Sequence, residues 1–236
     1  MLSFAQRIFE AEQMEAPDCD AEKLRRSYGH LAAINKMLSR MGGLLRRYVI
    51  ADVARIGGSA SVLELGCGGG DVLAALARKS GRAGVHLRLV GLDSDARAVA
   101  HASRRLAPYA NARVLRGGID DLDALPEPMD YVFCNHVLHH IPPIAVVPFL
   151  RRLRLVARRR LIINDLERSA TAYALYTALA AVAFRNSFAY GDGRLSIRKG
   201  FRLPELEAAC AQAGFPAGCR IERLPPWRVV IVAPGG

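Results

Sequence analysis

The feature that most constrains the fold of this chain is a glycine-rich turn between an apolar run and a helix. Residues 62–71 read Val-Leu-Glu-Leu-Gly-Cys-Gly-Gly-Gly-Asp. The apolar run predicts a buried strand, the glycines predict a tight turn that a ligand can approach closely, and a helix is predicted to begin at about Asp71. In an open α/β sheet, ligands lie at the carboxyl ends of the strands, near the switch in strand order. The turn therefore predicts a nucleotide site.

The residues of this turn disfavour two familiar phosphate-binding patterns. The dinucleotide fingerprint requires glycine or alanine at the position of Asp71, where an acid would lie beside the pyrophosphate. The phosphate loop requires a Gly-Lys-Ser/Thr sequence, which does not follow Gly70. The turn therefore argues against NAD, FAD and a nucleoside triphosphate.

From residue 61 onward, short apolar runs alternate with helical stretches, a pattern typical of buried parallel strands with helices on both faces of the sheet. Strands are predicted over 61–65, 87–92, 112–115, 131–134, 161–163, 219–224 and 227–232. We expect a helical cap over 1–57, with Asp20 as a helix N-cap, and an α/β domain over 58–236 with a helical insertion over about 167–200. Within this insertion, a helix is predicted over 170–184 and a loop over 190–193.

Composition limits the class of protein. Of the 236 residues, 51% are apolar, which is enough for a sizeable core. The cysteines are odd in number and contain no CxxC pair, which excludes a disulfide scaffold and a cysteine-ligated zinc site; they stand at 19, 67, 134, 210 and 219. The longest apolar stretch, 170–184, is shorter than the ~20 residues that span a bilayer. We expect a soluble, cytoplasmic protein.

The charge of +11 raises the question of an anionic partner. The densest basic run, 151–160, contains six arginines and no aromatic residues that would stack on bases. We interpret it as the exposed face and last turn of a helix, where cations suit the helix dipole, and expect no nucleic-acid partner.

A second candidate site residue is Asp93, at the end of the predicted second strand in Val90-Gly-Leu-Asp93. An acid there is placed to accept hydrogen bonds from both ribose hydroxyls of a cofactor. The alternative is that Asp93 caps the following helix, but Ser94 or Asp95 would serve equally well. We favour ribose binding.

Three segments, in order, resemble the successive motifs of class I S-adenosylmethionine-dependent methyltransferases. They are Glu-Leu-Gly-Cys-Gly-Gly-Gly at 64–70, Gly-Leu-Asp at 91–93, and Asp-Tyr-Val-Phe-Cys-Asn-His-Val-Leu-His-His at 130–140. The resemblance covers about 61–165 and implies a doubly wound, seven-stranded, mostly parallel Rossmann-like sheet with an antiparallel final strand. It implies S-adenosylmethionine as cofactor, bound by Glu64, Gly66, Cys67, Gly68, Asp93, Ser94, Gly118, Ile119, Asp120 and Asn135.

The chain departs from the family pattern after the third strand. Where the family has Gly-Asp, this chain reads Gly117-Gly118-Ile119-Asp120, so the acid stands two places later. Ile119 is expected to pack on the adenine, and Asp120 or Asp121 to replace the missing contact with the adenine amine.

Beyond the predicted fourth strand stand His136, His139 and His140, which we expect on one side of a helix. His139 or His136 is a candidate general base, because histidine titrates at about 6.5. The cluster also resembles the metal cluster of ubiquinone-pathway O-methyltransferases, and a purely structural role is a third alternative. More narrowly, segments 17–36 and 164–201 are similar to bacterial small-molecule O-methyltransferases of polyketide and quinone type.

The acceptor pocket is expected between the N-terminal cap and the helix at 170–184. Tyr28, Tyr173 and Tyr176 would line it, which favours a flat hydrophobic acceptor such as a phenol, pyrone or quinol. The helix is equally well interpreted as core, and its flanks Arg168 and Arg185 as a weak contact with an anionic membrane surface. RNA or protein methylation, and N- or C-methylation of a small molecule, stay open as alternatives.

Overall fold

The computed structural model describes residues 3–125 and 128–236, in which a seven-stranded sheet forms the centre of the molecule. The strands are β1 (Ser59–Leu65), β2 (His86–Asp93), β3 (Ala112–Arg116), β4 (Met129–Asn135), β5 (Ala157–Leu166), β6 (Arg220–Leu224) and β7 (Arg228–Pro234). Their order is β3-β2-β1-β4-β5-β7-β6, and β7 pairs antiparallel with both of its neighbours. The predicted doubly wound sheet with an antiparallel final strand is confirmed.

The helices cover both faces of this sheet. They are α1 (Ala21–Met37), α2 (Met41–Leu45), α3 (Ala51–Ile56), α4 (Asp71–Arg82), α5 (Ala96–Leu106), α6 (Val146–Val156), α7 (Ala170–Ala183), α8 (Ala189–Lys199) and α9 (Leu203–Gln212). A π-helical turn, Arg46–Ile50, joins α2 to α3. Short 3-10 turns occur at Gln13–Glu15, Ile119–Ala124, Leu138–His140 and Pro143–Ala145.

Alternate residues of each central strand enter two separate cores. In β1, Val62 packs into the core under α2–α5, whereas Leu63 packs into the core under α6 and α9. Both side chains are fully buried, and burying a side chain of this size contributes roughly 1.5–3 kcal/mol. Because β1 and β4 are neighbours but lead away in opposite directions, the strand order reverses between them. A ligand site is therefore expected at their carboxyl ends.

The predicted N-terminal cap consists of two parts with different surroundings. Asp20 caps α1 as expected, since its carboxylate accepts a hydrogen bond from the backbone N–H of Lys23 at 2.7 Å. Residues 41–56, by contrast, belong to the layer beneath the sheet, because Met41 and Val49 are fully buried in its core. Of the predicted cap, only the part up to about residue 38 is placed to cover a site at the strand ends.

Two local predictions were wrong. The expected loop at 190–193 lies inside α8, because Gly193 is needed for a close approach: a Cβ there would lie 2.1 Å from the hydroxyl oxygen of Tyr176. The arginine run 151–160 is also divided, since α6 ends at Val156 and the last three arginines lie on β5. The Arg159 guanidinium, for example, lies 3.2 Å from the Asp130 carboxylate.

Candidate functional site

A cavity of about 990 Å³ opens at the carboxyl edge of the sheet, where the strand order reverses. Its volume is at the upper end of the range for small-molecule sites. The glycine turn, the ends of β1, β2 and β4, helices α1 and α7, and the turn before β7 form its walls. The following predicted site residues line it: Tyr28, Glu64, Gly66, Cys67, Gly68, Asp93, Ser94, Gly118, Ile119, Asn135, His136, His139 and Tyr176.

The glycine turn brings backbone, rather than side chains, to the cavity wall. Gly66 and Gly68 have φ of +68° and +50°, a region that favours glycine. A Cβ on Gly66 would also lie 2.4 Å from a methyl group of Val137. The Gly66 N–H donates to the carbonyl of Leu92 at 2.8 Å, which fixes the turn against the end of β2.

Asp93 fastens this turn from the neighbouring strand. Its carboxylate accepts hydrogen bonds from the backbone N–H groups of Gly68 at 2.7 Å and Asp95 at 3.0 Å. Asp95, and not Asp93, caps α5, because the Asp95 carboxylate accepts from the N–H of Arg97. Burial raises the pKa of Asp93 above its usual range. The carboxylate is thus held at the cavity wall, where the ribose contact was predicted.

Glu64 lies at the end of β1 and is only 2% exposed. Its Oε2 atom is buried without a hydrogen-bond partner among the described residues. Burial, followed by the nearby carboxylates of Asp71 and Asp93, raises the pKa of Glu64 well above its usual range. The cavity therefore has a surplus of carboxylates at this end, and a cationic amino group would satisfy them.

The adenine end of the cavity differs from the sequence prediction. Gly118 and Ile119 line the cavity, but Asp120 does not, since its side chain is 93% exposed and lies beside Arg152. Asp121 accepts a hydrogen bond from the Gly118 N–H at 2.8 Å, which closes the 3-10 turn that follows. The prediction that Asp120 contacts the adenine is contradicted, because that turn directs its side chain outward.

A chain of amide side chains, which sequence reasoning missed, connects the strand ends to α1. Asn164 Nδ2 donates to Asn135 Oδ1 at 2.7 Å, and Asn135 Nδ2 donates to Asn35 Oδ1 at 3.0 Å. Asn35 Nδ2 then donates to the carboxylate of Asp71 at 3.1 Å. No local sequence signal reveals this amide chain, because its members come from four separate elements.

His139 is buried between two carboxylates. Its Nδ1 lies 2.7 Å from Asp165 Oδ1, and its Nε2 lies 3.7 Å from Glu12 Oε1. Burial lowers the pKa of His139, but the attraction of Asp165 and then of Glu12 outweighs burial and raises it to about 9. His139 is therefore positively charged at neutral pH, and neither of its ring nitrogens is open to the cavity.

His136, unlike His139, is uncharged. Burial and the neighbouring Arg228 guanidinium lower its pKa well below the usual range, so the ring is neutral. Nε2 is buried without a partner, whereas Nδ1 is not buried and has no hydrogen bond to any described residue. Because His136 lines the cavity, Nδ1 is the ring nitrogen that faces it. Its φ of +60° ends β4, so the expected helix with three histidines on one side does not form.

The alternative of a metal site formed by the three histidines is not supported either. Among the described residues, the group that could hold a metal ion is Glu12, His139 and His140, without His136. The ammonium group of Lys199 already lies 3.2 Å from Glu12 Oε1 and 3.3 Å from His140 Nδ1. The cation in this cluster is thus the protein's own lysine.

Comparison with known proteins decides what this site belongs to. Residues 62–160 match the family model described as "Methyltransferase domain". This segment contains the glycine turn, Asp93 and Asn135. It also contains His136, His139 and His140. The chain thus contains a methyltransferase domain of the S-adenosylmethionine-dependent class. No curated protein matches it.

Solved structures share the fold of this methyltransferase. An O-methyltransferase family protein from Burkholderia thailandensis has a TM-score of 0.67 at 12% identity, covering 96% of this chain and 64% of that one. The plantazolicin methyltransferase BpumL in complex with SAH has a TM-score of 0.67 at 14% identity, covering 92% and 91%. Magnesium protoporphyrin IX methyltransferase from Synechocystis PCC 6803 with bound SAH has a TM-score of 0.54 at 19% identity, covering 84% and 85%.

The residues of this methyltransferase fit its cofactor, S-adenosylmethionine. The unpartnered Oε2 of Glu64 and the surrounding carboxylates suit the cationic methionine amino group. Asp93 suits the ribose hydroxyls, and the open space beside Gly68 leaves no side chain between the turn and the ligand. The predicted cofactor and the family are confirmed.

Beyond the cofactor residues, the cavity of the methyltransferase continues into an apolar chamber. Its walls are Leu31, Ile34, Leu38, Leu175, Tyr176, Leu179 and Trp227. His136 and Arg228 line the same cavity, and the Arg228 charge acts on the His136 ring. Tyr173 is not part of it, because its hydroxyl accepts hydrogen bonds from Arg194 and its ring packs against Phe4.

The surface of α7 bears on the expected membrane contact. Arg168 is 3% exposed and pairs with Glu205, so it is not placed to contact lipid. Leu175, Leu179 and Val182 are exposed on the helix. None of the helices formed by the described residues has the length and hydropathy of a membrane span.

Proposed function

We propose that this methyltransferase methylates a hydroxyl oxygen of a small hydrophobic acceptor, such as a phenol, pyrone or quinol. The observation that carries this proposal is that one cavity is lined by the residues proposed for the cofactor, by a set of apolar side chains, and by His136 and Arg228. A flat apolar molecule with one polar end matches that distribution. The fold shared with an O-methyltransferase family protein supports the same reaction class.

S-adenosylmethionine, when bound, supplies a methyl group on a positively charged sulfur, which is already electrophilic. The residues of the chain then have to align the acceptor, exclude water and receive the hydroxyl proton. Leu31, Ile34 and Leu38 present apolar surface to the acceptor, which limits the water beside the reacting atoms.

His136 is the residue we propose as proton acceptor. It is neutral and presents Nδ1 to the cavity, whereas His139 is charged and has both nitrogens turned into the protein. A charged imidazolium cannot accept a proton. His139 instead positions the end of β4, because its backbone N–H and its ring both bond to Asp165.

The proposal is tested by following a trideuterated methyl group from labelled S-adenosylmethionine into a panel of alkylated phenols, pyrones and quinols. We expect mass-labelled methyl ethers to form. The same protein is incubated with RNA, with bulk protein and with amine analogues of the panel. Label in any of these, without methyl ethers, would contradict the proposal and favour RNA, protein or N-methylation.

A further inference from the structure

We propose that Arg228 binds the acceptor as an oxyanion, so that the preferred acceptors are acidic enols of the hydroxypyrone kind rather than weakly acidic phenols. This inference rests on the proposed function and specifies its substrate class. It begins from a buried arginine for which neither the cofactor site nor the fold provides a counter-ion.

Arg228 opens β7 directly after the turn that closes the chamber. Its Nε donates to the carbonyl of Leu38 at 3.2 Å, and its Nη1 lies 3.5 Å from the carbonyl of Trp227. These contacts hold the guanidinium in one orientation between α1 and the sheet. Nη2 has no hydrogen bond to any described residue and is not among the buried unpartnered atoms, so it faces the cavity that Arg228 lines.

The charge of Asp165 acts on Arg228, and Glu12 lines the same cavity, but both carboxylates already have other partners. Asp165 bonds to His139 at 2.7 Å. Glu12 accepts from the Ser196 hydroxyl at 2.7 Å and lies 3.2 Å from the Lys199 ammonium group. Arg228 forms no ion pair with any carboxylate of the described residues, although it is only 5% exposed.

Another deeply buried arginine shows what pairing looks like in this protein. Arg168 binds both carboxylate oxygens of Glu205 and three backbone carbonyls at once. A buried charge without such a partner is unfavourable, because it loses its hydration and gains nothing in return. An anionic ligand in the chamber would give Arg228 the partner that Glu205 gives Arg168.

The free donor of the guanidinium specifies the kind of anion. Nη2 is the donor left free, and it suits a single oxygen anion whose charge is delocalised, as in the enolate of a 1,3-dicarbonyl or a hydroxypyrone. The apolar walls of the chamber match the remainder of such a molecule. A neutral phenol of equal size would fill the walls but leave Arg228 unpaired.

The state of His136 agrees with this choice. Burial and Arg228 together disfavour a proton on its ring. A weak base of this kind takes a proton readily only from an acidic hydroxyl. His136 and Arg228 are thus matched to the same acceptor class, one as acceptor of the proton and the other as partner of the anion.

The test is calorimetric titration of the complex with S-adenosylhomocysteine, using a 4-hydroxy-6-alkyl-2-pyrone and its neutral 4-methoxy ether. We expect the wild type to bind the hydroxypyrone at least about tenfold more tightly than the ether. Arg228→Gln should reduce this ratio to about one, and Arg228→Lys should retain part of it, while S-adenosylhomocysteine binds all variants equally. Arg220→Gln, an exposed arginine on the adjacent strand, is the matched control and should keep the full ratio.

A wild type that binds both pyrones equally, or neither, overturns the inference, and this result does not depend on whether the Arg228 variants fold. The inference is also overturned if Arg228→Gln binds S-adenosylhomocysteine normally and still prefers the hydroxypyrone over its ether by the wild-type ratio. A third pair, an alkylbenzoate and its methyl ester, tests a carboxylate ligand: preference for the benzoate alone contradicts the enolate assignment. If simple phenols are methylated without regard to Arg228, the inference fails but the proposed function stands.

Discussion

His136 and His139 stand three residues apart and hold opposite charge states. Asp165 and Glu12 keep a proton on His139, whereas burial and Arg228 keep the proton off His136. The charge states of the two residues could not be predicted from the local sequence, because the partners that set them lie far away along the chain. Their spacing alone predicted a shared helix face, and the positive φ of His136 separates them instead.

His136 and His139 are expected to have different roles, His136 as proton acceptor and His139 as a positioning residue. With a phenol that must lose its proton at the site, His136→Gln should lower kcat by about 100-fold or more, the usual contribution of a general base, while the Kd for S-adenosylhomocysteine stays unchanged. His86→Gln, an exposed histidine at the opposite end of the sheet, serves as the control and should leave kcat unchanged. The role belongs to His139 if His136→Gln keeps its turnover and a folded His139→Gln does not.

Among the secondary structure elements, the strands were the easiest to predict. The central parallel strands are buried and contain continuous apolar runs. All seven strands were placed within a few residues of their observed bounds. The loop at 190–193 was mispredicted because a glycine can indicate either a turn or a position where another side chain packs closely against the backbone. At Gly193 the need is a close approach to Tyr176, which no local pattern shows.

The amide chain through Asn135 and Asn35 connects α1 to the strand ends beneath it. Asn35→Ala removes the hydrogen bonds to Asp71 and from Asn135 and leaves both groups without that partner. We expect a loss of about 1–3 kcal/mol in the free energy of unfolding and a several-fold weaker Kd for S-adenosylhomocysteine. Urea unfolding and calorimetry measure the two effects.

The adjacent exposed residue provides the control for this prediction. Lys36→Ala lies on the same helix and should change neither quantity. If Asn35→Ala binds S-adenosylhomocysteine as the wild type does, the amide chain has only a structural role and does not order the cofactor site.

For the whole molecule, a buried ionic cluster joins segments that are distant in sequence. Glu12 of the N-terminal segment, His139 after β4, Asp165 of β5 and Lys199 of α8 meet within it. Attraction to His139 and its neighbours outweighs burial and lowers the pKa values of Glu12 and Asp165, whereas the pKa of His139 is raised to about 9. The stability of the protein should therefore depend on pH from both sides.

These pKa shifts determine whether stability falls at high or at low pH. His139 stabilises the fold fully below its unfolded pKa of about 6.5, and this contribution is lost as pH rises through about 9. Glu12 and Asp165 stabilise it above about pH 4–5, and theirs is lost as pH falls. Urea unfolding should show a free energy about 1–3 kcal/mol lower at pH 9.5 than at pH 6.5. His139→Gln should flatten this alkaline limb; an unchanged limb would contradict the account.

The cavity residues proposed to bind the cofactor could be located from sequence, whereas Glu12 and Arg228 could not. Glu64, Gly66 and Asp93 belong to segments in which strand, turn and ligand contact are continuous in the chain. Glu12 and Arg228 come from opposite ends of the sequence and meet near the site only through the fold. Their roles depend on burial and on missing counter-ions, which no local pattern contains.

The most direct test of the cofactor site is calorimetric titration of the wild type and of Asp93→Asn with S-adenosylhomocysteine. We expect micromolar binding by the wild type and a Kd raised about 10- to 100-fold in the variant, because a charged hydrogen-bond acceptor is lost. Asp130→Asn is the matched control, since Asp130 accepts a backbone N–H at the opposite edge of the sheet. It should lower stability but leave the Kd unchanged. A folded wild type that does not bind S-adenosylhomocysteine, or equal binding by Asp93→Asn, would contradict the account.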